Sequence, residues 1–203
     1  MPAASTTLAI LAGGEGSRMG KPKSLLTMGG RPILDYLVDR FTWPGPTLLV
    51  TAPGNEHPPG HERFAREVTD PVAGEGPLRG LLTALEACDT PMVVVTTVDM
   101  PLVSVAHIHF LMNSLEAIPD CFGVMSRREI NGEAQVEPFP SVYRAQARDA
   151  VAKNLIAGRR SVHALARQEG FSLLDAPPDW PSDTWLNLNH PQDLIDFSRR
   201  SLT

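Results

Sequence analysis

The segment LAGGEGSRMGKPKS, residues 11–24, places four glycines, one arginine and two lysines directly after a short apolar run. Glycines let backbone amides approach an anion closely, and cationic side chains add attraction, so this segment is predicted to bind phosphate. A tight turn with solvated basic side chains is the alternative. Because Pro22 opposes the direct start of a helix, we expect the loop to stay extended through Lys23 and to wrap a polyphosphate.

The spacing of these glycines excludes two common phosphate loops. The dinucleotide-binding pattern G-x-G-x-x-G requires its third glycine where Met19 stands. The pattern G-x-x-x-x-G-K-[ST] requires its first glycine where Glu15 stands, and Ser or Thr where Pro22 stands. The loop therefore belongs to neither class.

Two aspartates follow predicted strands. Asp99 comes after the apolar run MVVVTTV, where an ionised carboxylate is costly unless it pairs or binds a cation. Ligands of open parallel sheets lie at the carboxyl ends of strands, so we predict that Asp99 binds Mg²⁺, with water and substrate phosphates completing the shell. Capping a helix after Pro101 is an alternative, compatible role. Asp70, before the second glycine turn GEGPLRG, is predicted at the same rim or in an Asp-Pro turn.

The elements that must position these residues alternate along the first half of the chain. Short aliphatic runs predict strands at 7–12, 47–52, 66–70 and 92–99. Apolar residues at helical spacing predict helices around 33–41, 78–85 and 105–115. The alternation predicts an α/β fold with a mostly parallel sheet covered by helices on both faces, in which 92–99 is a central strand.

The second half of the chain is less regular. Residues 127–139 are polar and are predicted to be a long binding loop between strands at 121–126 and 140–145. The remaining predicted elements are helices at 146–156 and 161–169, strands at 171–176 and 185–189, and a helix from Pro191.

Composition restricts the class of protein. The 203 residues suit a single domain spanning 1–203, and the net charge of -5 argues against nucleic acid or an anionic membrane as a partner. Cys88 and Cys121 lack metal-site spacing and are predicted to be buried free thiols. With no leader-like start and no apolar run long enough to span a bilayer, we expect a cytoplasmic protein.

His57 and His61 suggest a metal site at first sight. However, an H-x-x-x-H pair shares one face only on a helix, and two prolines separate these residues. We therefore interpret this segment as a surface loop.

Several motifs together resemble the nucleotidyltransferases related to molybdenum cofactor guanylyltransferase. The pattern L-A-G-G-x-x-x-R-M-G-x-x-K-x-L-L matches residues 11–26 throughout. Asp70, GPLRGLLTAL, TTVDMPLV, AGRRSVHAL and WLNLNHPQDL follow in the family's order, so the resemblance spans nearly the whole chain. It implies a single-domain, three-layer, Rossmann-like nucleotidyltransferase fold.

The resemblance also implies roles for particular residues. The catalytic residues would be Arg18, Lys23 and Asp99, with Lys23 at the charge that develops near the α-phosphoryl group. The nucleotide-binding residues would be Leu11, Ala12, Gly13, Gly14, Lys23, Thr51, Asp70, Gly76, Pro77, Leu78 and Asp99, with the backbone of 12–14 and Arg18 on the triphosphate.

Four further residues are candidates for the acceptor side. Arg159 and Arg160 would receive an acceptor phosphate, although paired arginines are commonly just solvated. Asn187 and Asn189 lie two apart on a predicted strand and hence on one face, where they would position the acceptor or a metal-bound water.

The activity that the resemblance implies is transfer of GMP from Mg·GTP to the terminal phosphate of molybdopterin or its molybdenum form, releasing pyrophosphate without a covalent enzyme intermediate. Protein partners in molybdoenzyme maturation are expected. Thr51 stands where many guanylyltransferases carry asparagine, so a cytidylyltransferase on the same cofactor stays open. A sugar- or alcohol-phosphate nucleotidyltransferase and a non-catalytic nucleotide-binding scaffold stay open as well.

Overall fold

The computed structural model of the chain describes residues 3–14 and 16–200. The strands are β1 (Thr6–Leu11), β2 (Thr27–Met28), β3 (Arg31–Pro32), β4 (Thr47–Thr51), β5 (Arg66–Thr69), β6 (Met92–Thr97), β7 (Gly123–Ile130), β8 (Glu133–Arg144) and β9 (Phe171–Asp175). The α-helices are α1 (Ile33–Phe41), α2 (Gly76–Ala87), α3 (Val105–Glu116), α4 (Ala147–Ile156) and α5 (Pro191–Arg200).

Seven strands form one sheet in the order β5-β4-β1-β6-β8-β7-β9, and β2 pairs with β3 separately. Strands β5, β4, β1 and β6 are parallel, β8 is antiparallel to β6 and β7, and β9 is parallel to β7. The sheet is therefore mostly parallel, and β6 is its middle strand. Both predictions are confirmed.

The order of the strands fixes where a ligand can bind. From β1 the chain moves outward through β4 to β5, and it then crosses back to β6 on the other side of β1. Right-handed crossovers in opposite directions place α1 and α2 on opposite faces, and every residue of β1 is accordingly buried. Leu11 pairs with Thr97, so the carboxyl ends of β1 and β6 lie side by side where the order reverses.

The predicted polar loop at 127–139 is a β-hairpin, and that prediction is wrong. β7 and β8 pair from Ile130 opposite Glu133 down to Gly123 opposite Tyr143. Asn131 and Gly132 have φ values of 52° and 83°, as the two central residues of a type I′ turn require. The polar side chains of this segment lie on the two strands of the hairpin. The Asn-Gly pair is the sequence signal for the turn between them.

Two other elements differ from the prediction. Residues predicted as a helix at 161–169 form a short 3₁₀ helix, Val162–Arg167. The predicted strand at 185–189 is wrong, because Ser182–Trp185 is a 3₁₀ turn and residues 186–189 join no strand in the described part of the chain. The amide of Leu188 bonds instead to the carbonyl of Asp99 at 2.9 Å. The predicted helix at 146–156 and the last helix are confirmed as α4 and α5.

Two further sequence-based expectations concern cysteines and membranes. Cys121 is buried and Cys88 half-buried, and both are free thiols. Within residues 3–14 and 16–200, none of the helices combines the length and the apolar character needed to cross a bilayer.

Candidate active site

The glycine-rich segment after β1 folds into two short turns. Gly16 and Gly20 both adopt left-handed backbone, with φ of 61° and 72°, and 3₁₀ turns follow at Ser17–Met19 and Lys23–Leu25. A Cβ on Gly16 would lie 2.0 Å from the carbonyl oxygen of Lys21. The prediction of an extended loop is therefore wrong, because the left-handed glycines bend the chain.

A cavity of about 480 Å³ lies at the carboxyl ends of β1 and β6, where the strand order reverses. Eight residues predicted to contact the nucleotide or the metal line it: Leu11, Gly13, Gly14, Lys23, Asp70, Gly76, Pro77 and Asp99. The remaining lining residues are Gly16, Val50, Ala52, Pro53, Val72, Ala73, Gly74, Glu75, Gly80, Thr97 and Val98. The size and position are those of a small-molecule site in a parallel α/β fold.

Three remote segments meet beside this cavity, and two of them line it. The Lys23 ammonium donates to Asp99 Oδ2, and also to Asn189 Oδ1 at 2.7 Å. The Lys23 and Asp99 side chains are only 16% and 14% exposed. In turn, Asp193 Oδ2 accepts from the amides of Asn189 and His190, at 2.8 and 2.7 Å, which anchors Asn189 at the start of α5.

Backbone hydrogen bonds hold Asp99 in place. The amide of Val98 bonds to the carbonyl of Leu11 at 3.0 Å, which ties the turn after β6 to the end of β1. The next helix, α3, begins at Val105 with Ser104 as its cap. Asp99 is therefore not a helix cap, and its carboxylate faces Lys23 instead.

The same cluster fits a hard divalent cation. Asp99 supplies a carboxylate oxygen and Asn189 a carboxamide oxygen, and both are already arranged around the positive charge of Lys23. Mg²⁺ binds oxygen ligands and commonly takes only one or two from protein, with water and substrate phosphates supplying the rest. Asp99 and Asn189 are therefore residues that could hold Mg²⁺.

Asp70 contributes a second carboxylate to the cavity. Its Oδ1 accepts from the Thr83 hydroxyl at 2.6 Å, and its amide donates to the carbonyl of Thr51 at 2.8 Å. Burial raises the pKa of the Asp70 carboxyl above its usual value, against the lowering effects of Thr83 and Arg79, while Glu75 adds to the increase. A half-buried carboxylate of this kind is suited to accept hydrogen bonds from a bound ligand.

Glu75, which was not among the predicted site residues, organises the rim at the start of α2. Its Oε2 accepts from Arg79 at 2.7 Å, and its Oε1 lies 3.2 Å from Arg160 Nη2. The four-residue spacing of Glu75 and Arg79 on a helix could have revealed the first of these contacts.

The start of α2 is packed closely against the segment that carries Arg160. A Cβ on Gly76 would lie 2.9 Å from the Arg160 carbonyl oxygen, which also accepts from the amide of Leu78 at 3.1 Å. Leu78 itself is fully buried and does not line the cavity. It supports the wall that Gly76 and Pro77 form.

Some of the residues predicted to bind the nucleotide do not offer a free group to the cavity. The amide of Ala12 is bonded to the carbonyl of Val50 at 2.8 Å, so it is not available to phosphate. Among the described residues, the amides of Gly13 and Gly14 make no hydrogen bond. Arg18 is exposed in its turn and does not line the cavity.

Thr51 and most of the residues predicted to bind the acceptor also lie away from the cavity. The Thr51 hydroxyl faces away from the cavity lining and donates to Glu67 Oε1 at 3.2 Å. Arg159 bonds to Asn154 at 2.7 Å and lies outside the cavity, whereas Arg160 reaches its rim through Glu75. The prediction that Asn187 and Asn189 share a strand face is wrong, because Asn187 bonds back to the carbonyl of Trp185.

The two histidines of the loop after β4 do share a face. The rings of His57 and His61 stack with centroids 4.7 Å apart. The premise that such a pair shares a face only on an α-helix is therefore wrong, because the turn at 58–60 brings the two rings together.

Comparison with known proteins identifies similar sequences and folds. Residues 8–171 match the family model described as the MobA-like NTP transferase domain. The chain is 30% identical over 194 residues to a probable molybdenum cofactor guanylyltransferase of Deinococcus radiodurans, covering 96% of this chain and 94% of the relative. It is 30% identical over 190 residues to a molybdenum cofactor guanylyltransferase of Albidiferax ferrireducens, covering 90% and 89%.

Solved structures share the fold. Molybdopterin-guanine dinucleotide biosynthesis protein A from Archaeoglobus fulgidus has a TM-score of 0.81 at 21% identity, covering 97% of this chain and 98% of that one. The 2-C-methyl-D-erythritol 4-phosphate cytidylyltransferase from Thermus thermophilus has a TM-score of 0.70 at 20% identity, covering 96% and 98%.

Proposed function

Since the chain belongs to the MobA-like NTP transferase family and is a nucleotidyltransferase, we propose that it transfers GMP from Mg·GTP to the terminal phosphate of molybdopterin or its molybdenum form. Pyrophosphate is the second product. The guanylyltransferase names of its relatives support this choice of substrates.

One observation carries the proposal. Lys23 and Asp99 line the cavity where β1 and β6 end, and Asn189, from a third remote part of the chain, accepts from Lys23. A cation, a carboxylate and an amide at this position are the groups that phosphoryl and nucleotidyl transfer needs, because the reaction depends on alignment and charge neutralisation. A scaffold that only binds nucleotide has no need of this cluster.

The triphosphate would bind along the glycine turn. The amides of Gly13 and Gly14 follow the carboxyl end of β1 and make no backbone hydrogen bond within the described residues, and both glycines line the cavity. Lys23 lines the same cavity next to this turn, because a Cβ on Gly14 would lie 4.0 Å from Lys23 Cδ. Arg18 is exposed in the turn that joins these residues along the chain and lies outside the cavity lining. We assign the β- and γ-phosphates to the turn and the α-phosphate to Lys23.

Asp99 and Asn189 would hold Mg²⁺, which when bound neutralises phosphate charge and helps orient the triphosphate. In this structure the Lys23 ammonium donates to both of these oxygens, so a cation bound there would leave the ammonium free to donate to the phosphates.

The chemical step is a single displacement at the α-phosphorus. An oxygen of the acceptor's terminal phosphate forms the new P–O bond, and the bond from the α-phosphorus to the bridging oxygen of the β-phosphate breaks. Its electron pair leaves with pyrophosphate, whose charge Lys23 and the glycine-turn amides stabilise. No side chain of the cluster is required as a nucleophile.

The nucleoside would occupy the part of the cavity lined by Asp70, Gly76 and Pro77. The Asp70 carboxylate accepts hydrogen bonds, which suits ribose hydroxyls or the N–H groups of guanine. The Thr51 hydroxyl is engaged by Glu67 and lies outside the cavity lining, which keeps a cytidylyltransferase as the second candidate. A sugar- or alcohol-phosphate acceptor is the corresponding alternative on the acceptor side.

We place the reaction in the cytoplasm and assign transfer of the product to protein partners in molybdoenzyme maturation. The molybdenum cofactor named for the relatives supports this assignment, because a finished cofactor must reach an enzyme that uses it.

The test is pyrophosphate release from each of the four common nucleoside triphosphates, with Mg²⁺ and molybdopterin. We expect turnover with GTP and formation of the guanine dinucleotide, and no turnover with Asp99→Ala. Turnover with CTP instead would establish the second candidate, and turnover only with another phosphate acceptor would overturn the molybdopterin assignment. Nucleotide binding without turnover under all conditions would favour a scaffold.

A further inference from the structure

A second group of potential metal ligands lies outside the catalytic cavity. Within the described part of the chain, His57, His61 and Glu67 offer ligand atoms that all lie within 4.8 Å of one another. None of the three lines the cavity. The sequence pattern of the histidine pair predicted only a surface loop, and Glu67 lies on another element, strand β5.

The turn between the histidines is rigidly packed. Pro58 and Gly60 are buried, and the amide of His61 bonds to the carbonyl of Pro58 at 3.0 Å. Gly60 has a φ of 89°, and a Cβ on it would lie 3.0 Å from Asp35 Oδ1. The turn therefore sits tightly on α1, which fixes the positions from which both imidazoles project.

Both imidazoles point to one oxygen. Nδ1 of His57 lies 2.7 Å and Nδ1 of His61 lies 3.0 Å from Glu67 Oε2. The rings are stacked with an interplanar angle of 17°, and their shared contact with Glu67 Oε2 shows that the Nδ1 atoms lie on the same side. Two nitrogens and one carboxylate oxygen thus converge on a common point.

A hydrogen bond from a neighbouring residue orients the Glu67 carboxylate. Its other oxygen, Oε1, accepts from the Thr51 hydroxyl at 3.2 Å, and its side chain is only 15% exposed. The nearby Arg63 pairs with Asp39 at 2.7 Å, and the ion pairs of Glu67 in the described chain are those with the two histidines. A hydroxyl that orients a ligand carboxylate is a usual second layer of a metal site.

We propose that His57, His61 and Glu67 bind a divalent transition-metal ion of the zinc class through two Nδ1 atoms and one carboxylate oxygen. Imidazole and carboxylate together suit Zn²⁺, whereas Mg²⁺ prefers an all-oxygen shell. His57 is 74% exposed, so water can complete the shell. This site is separate from the Mg²⁺ site proposed at Asp99.

The ion would link the loop after β4 to strand β5. Ala52 and Pro53 at the start of that loop line the cavity, and Thr51 before them bonds to Glu67. Binding therefore stabilises the folded state, and in particular this wall of the cavity, by an amount set by the metal affinity.

The experiment uses the full chain, free of affinity tag and treated with a chelator. Zn²⁺ is titrated calorimetrically in excess Mg²⁺, so that oxygen-only sites such as that of Asp99 are already occupied. Co²⁺ is titrated in parallel, because its visible absorption reports nitrogen and oxygen coordination. We expect one Zn²⁺ per chain, a four- or five-coordinate Co²⁺ spectrum and a higher Tm with Zn²⁺.

Three variants and one control test the ligands. His57→Ala, His61→Ala and Glu67→Gln should each weaken Zn²⁺ binding by about tenfold or more, while His109→Ala, an exposed histidine on α3, should bind as the parent does. Circular dichroism of the metal-free variants confirms folding. Absence of saturable Zn²⁺ binding, or unchanged affinity in the three ligand variants, would overturn the proposal whether or not the protein transfers nucleotides.

Discussion

Lys23 and Asp99 are 76 residues apart in the chain, yet the ammonium of one donates directly to the carboxylate of the other. Asn189 accepts from the same ammonium, which adds a third segment. The contact arises because β1 and β6 are adjacent parallel strands, so the segments that follow them emerge side by side. The cluster is therefore a product of strand order, and its chemistry can be tested one residue at a time.

Lys23→Ala should lower kcat much more than it raises the KM for GTP. Lys23 is assigned to charge that develops at the α-phosphate and on the leaving pyrophosphate, so kcat should fall by about 10²- to 10³-fold. Steady-state kinetics measure the two effects separately. Lys153→Ala, an exposed lysine on α4, is the control. A rise in the KM for GTP with kcat unchanged would reduce Lys23 to a ground-state contact.

Asp99→Asn keeps the shape of the side chain but removes the charge proposed to bind Mg²⁺. We expect activity to fall by about 10²-fold or more at every Mg²⁺ concentration. The measurement is an Mg²⁺ activation curve for turnover. Asp89→Asn, at a side chain that is 97% exposed, provides the matched control. A variant that responds to Mg²⁺ as the parent does would remove Asp99 as the ligand.

Gly16→Ala and Gly20→Ala separate steric overlap from backbone strain. Both glycines have left-handed φ, so backbone strain alone should cost each substitution about 1 kcal/mol in unfolding free energy. Only the Cβ at Gly16 would collide with the carbonyl of Lys21, whereas that at Gly20 meets nothing within 4 Å. Gly16→Ala should therefore lose much more GTP affinity than Gly20→Ala, measured by equilibrium titration. Matching affinities would show that the shape of this turn does not matter.

Asp70→Asn should raise stability and weaken nucleotide binding. Burial raises the pKa of Asp70 in the folded state above the reference value of 3.8, so ionised Asp70 is a cost to folding. That cost is complete above the folded-state pKa and disappears as the pH falls to about 3.8. Asparagine can still accept from Thr83, so the variant should have the higher Tm near neutral pH.

The pH dependence provides the check on Asp70. Thermal melts of the parent and Asp70→Asn should differ most near neutral pH and converge as acid protonates the parent's carboxyl. Titration with GTP at neutral pH should show weaker binding by the variant. A gap in Tm that grows toward acid pH would contradict the predicted pKa effect, and unchanged GTP affinity would remove Asp70 from the nucleotide site.

Arg160→Ala should affect the acceptor more than Arg159→Ala does. Arg160 reaches the rim of the cavity through Glu75, whereas Arg159 is bonded to Asn154 outside it. A charge-assisted hydrogen bond to phosphate contributes about 1.5–3 kcal/mol, so the acceptor KM should rise by about tenfold or more in Arg160→Ala. Acceptor kinetics at saturating GTP measure this. A larger effect of Arg159→Ala would reverse the assignment.

Much of the scaffold follows from local sequence patterns. The alternation of aliphatic runs with helical spacing was sufficient to predict a mostly parallel sheet with the strand before Asp99 at its centre. The prediction was wrong at 127–139, where polarity was given more weight than the Asn131-Gly132 turn. It was also wrong at Asn187 and Asn189. These residues join no strand, so side chains two positions apart need not point to the same face.

What the sequence alone determined is therefore the fold class, the glycine turn after the first strand and the placement of Asp99 and Asp70 at strand ends, all of which depend on neighbouring residues. The tertiary structure decided which side chains meet: Lys23 with Asp99 and Asn189, Thr51 with Glu67 rather than the cavity, and His57 with His61 on Glu67. Local periodicity cannot specify these contacts, because the direction of a side chain in a turn depends on what distant segments pack against it.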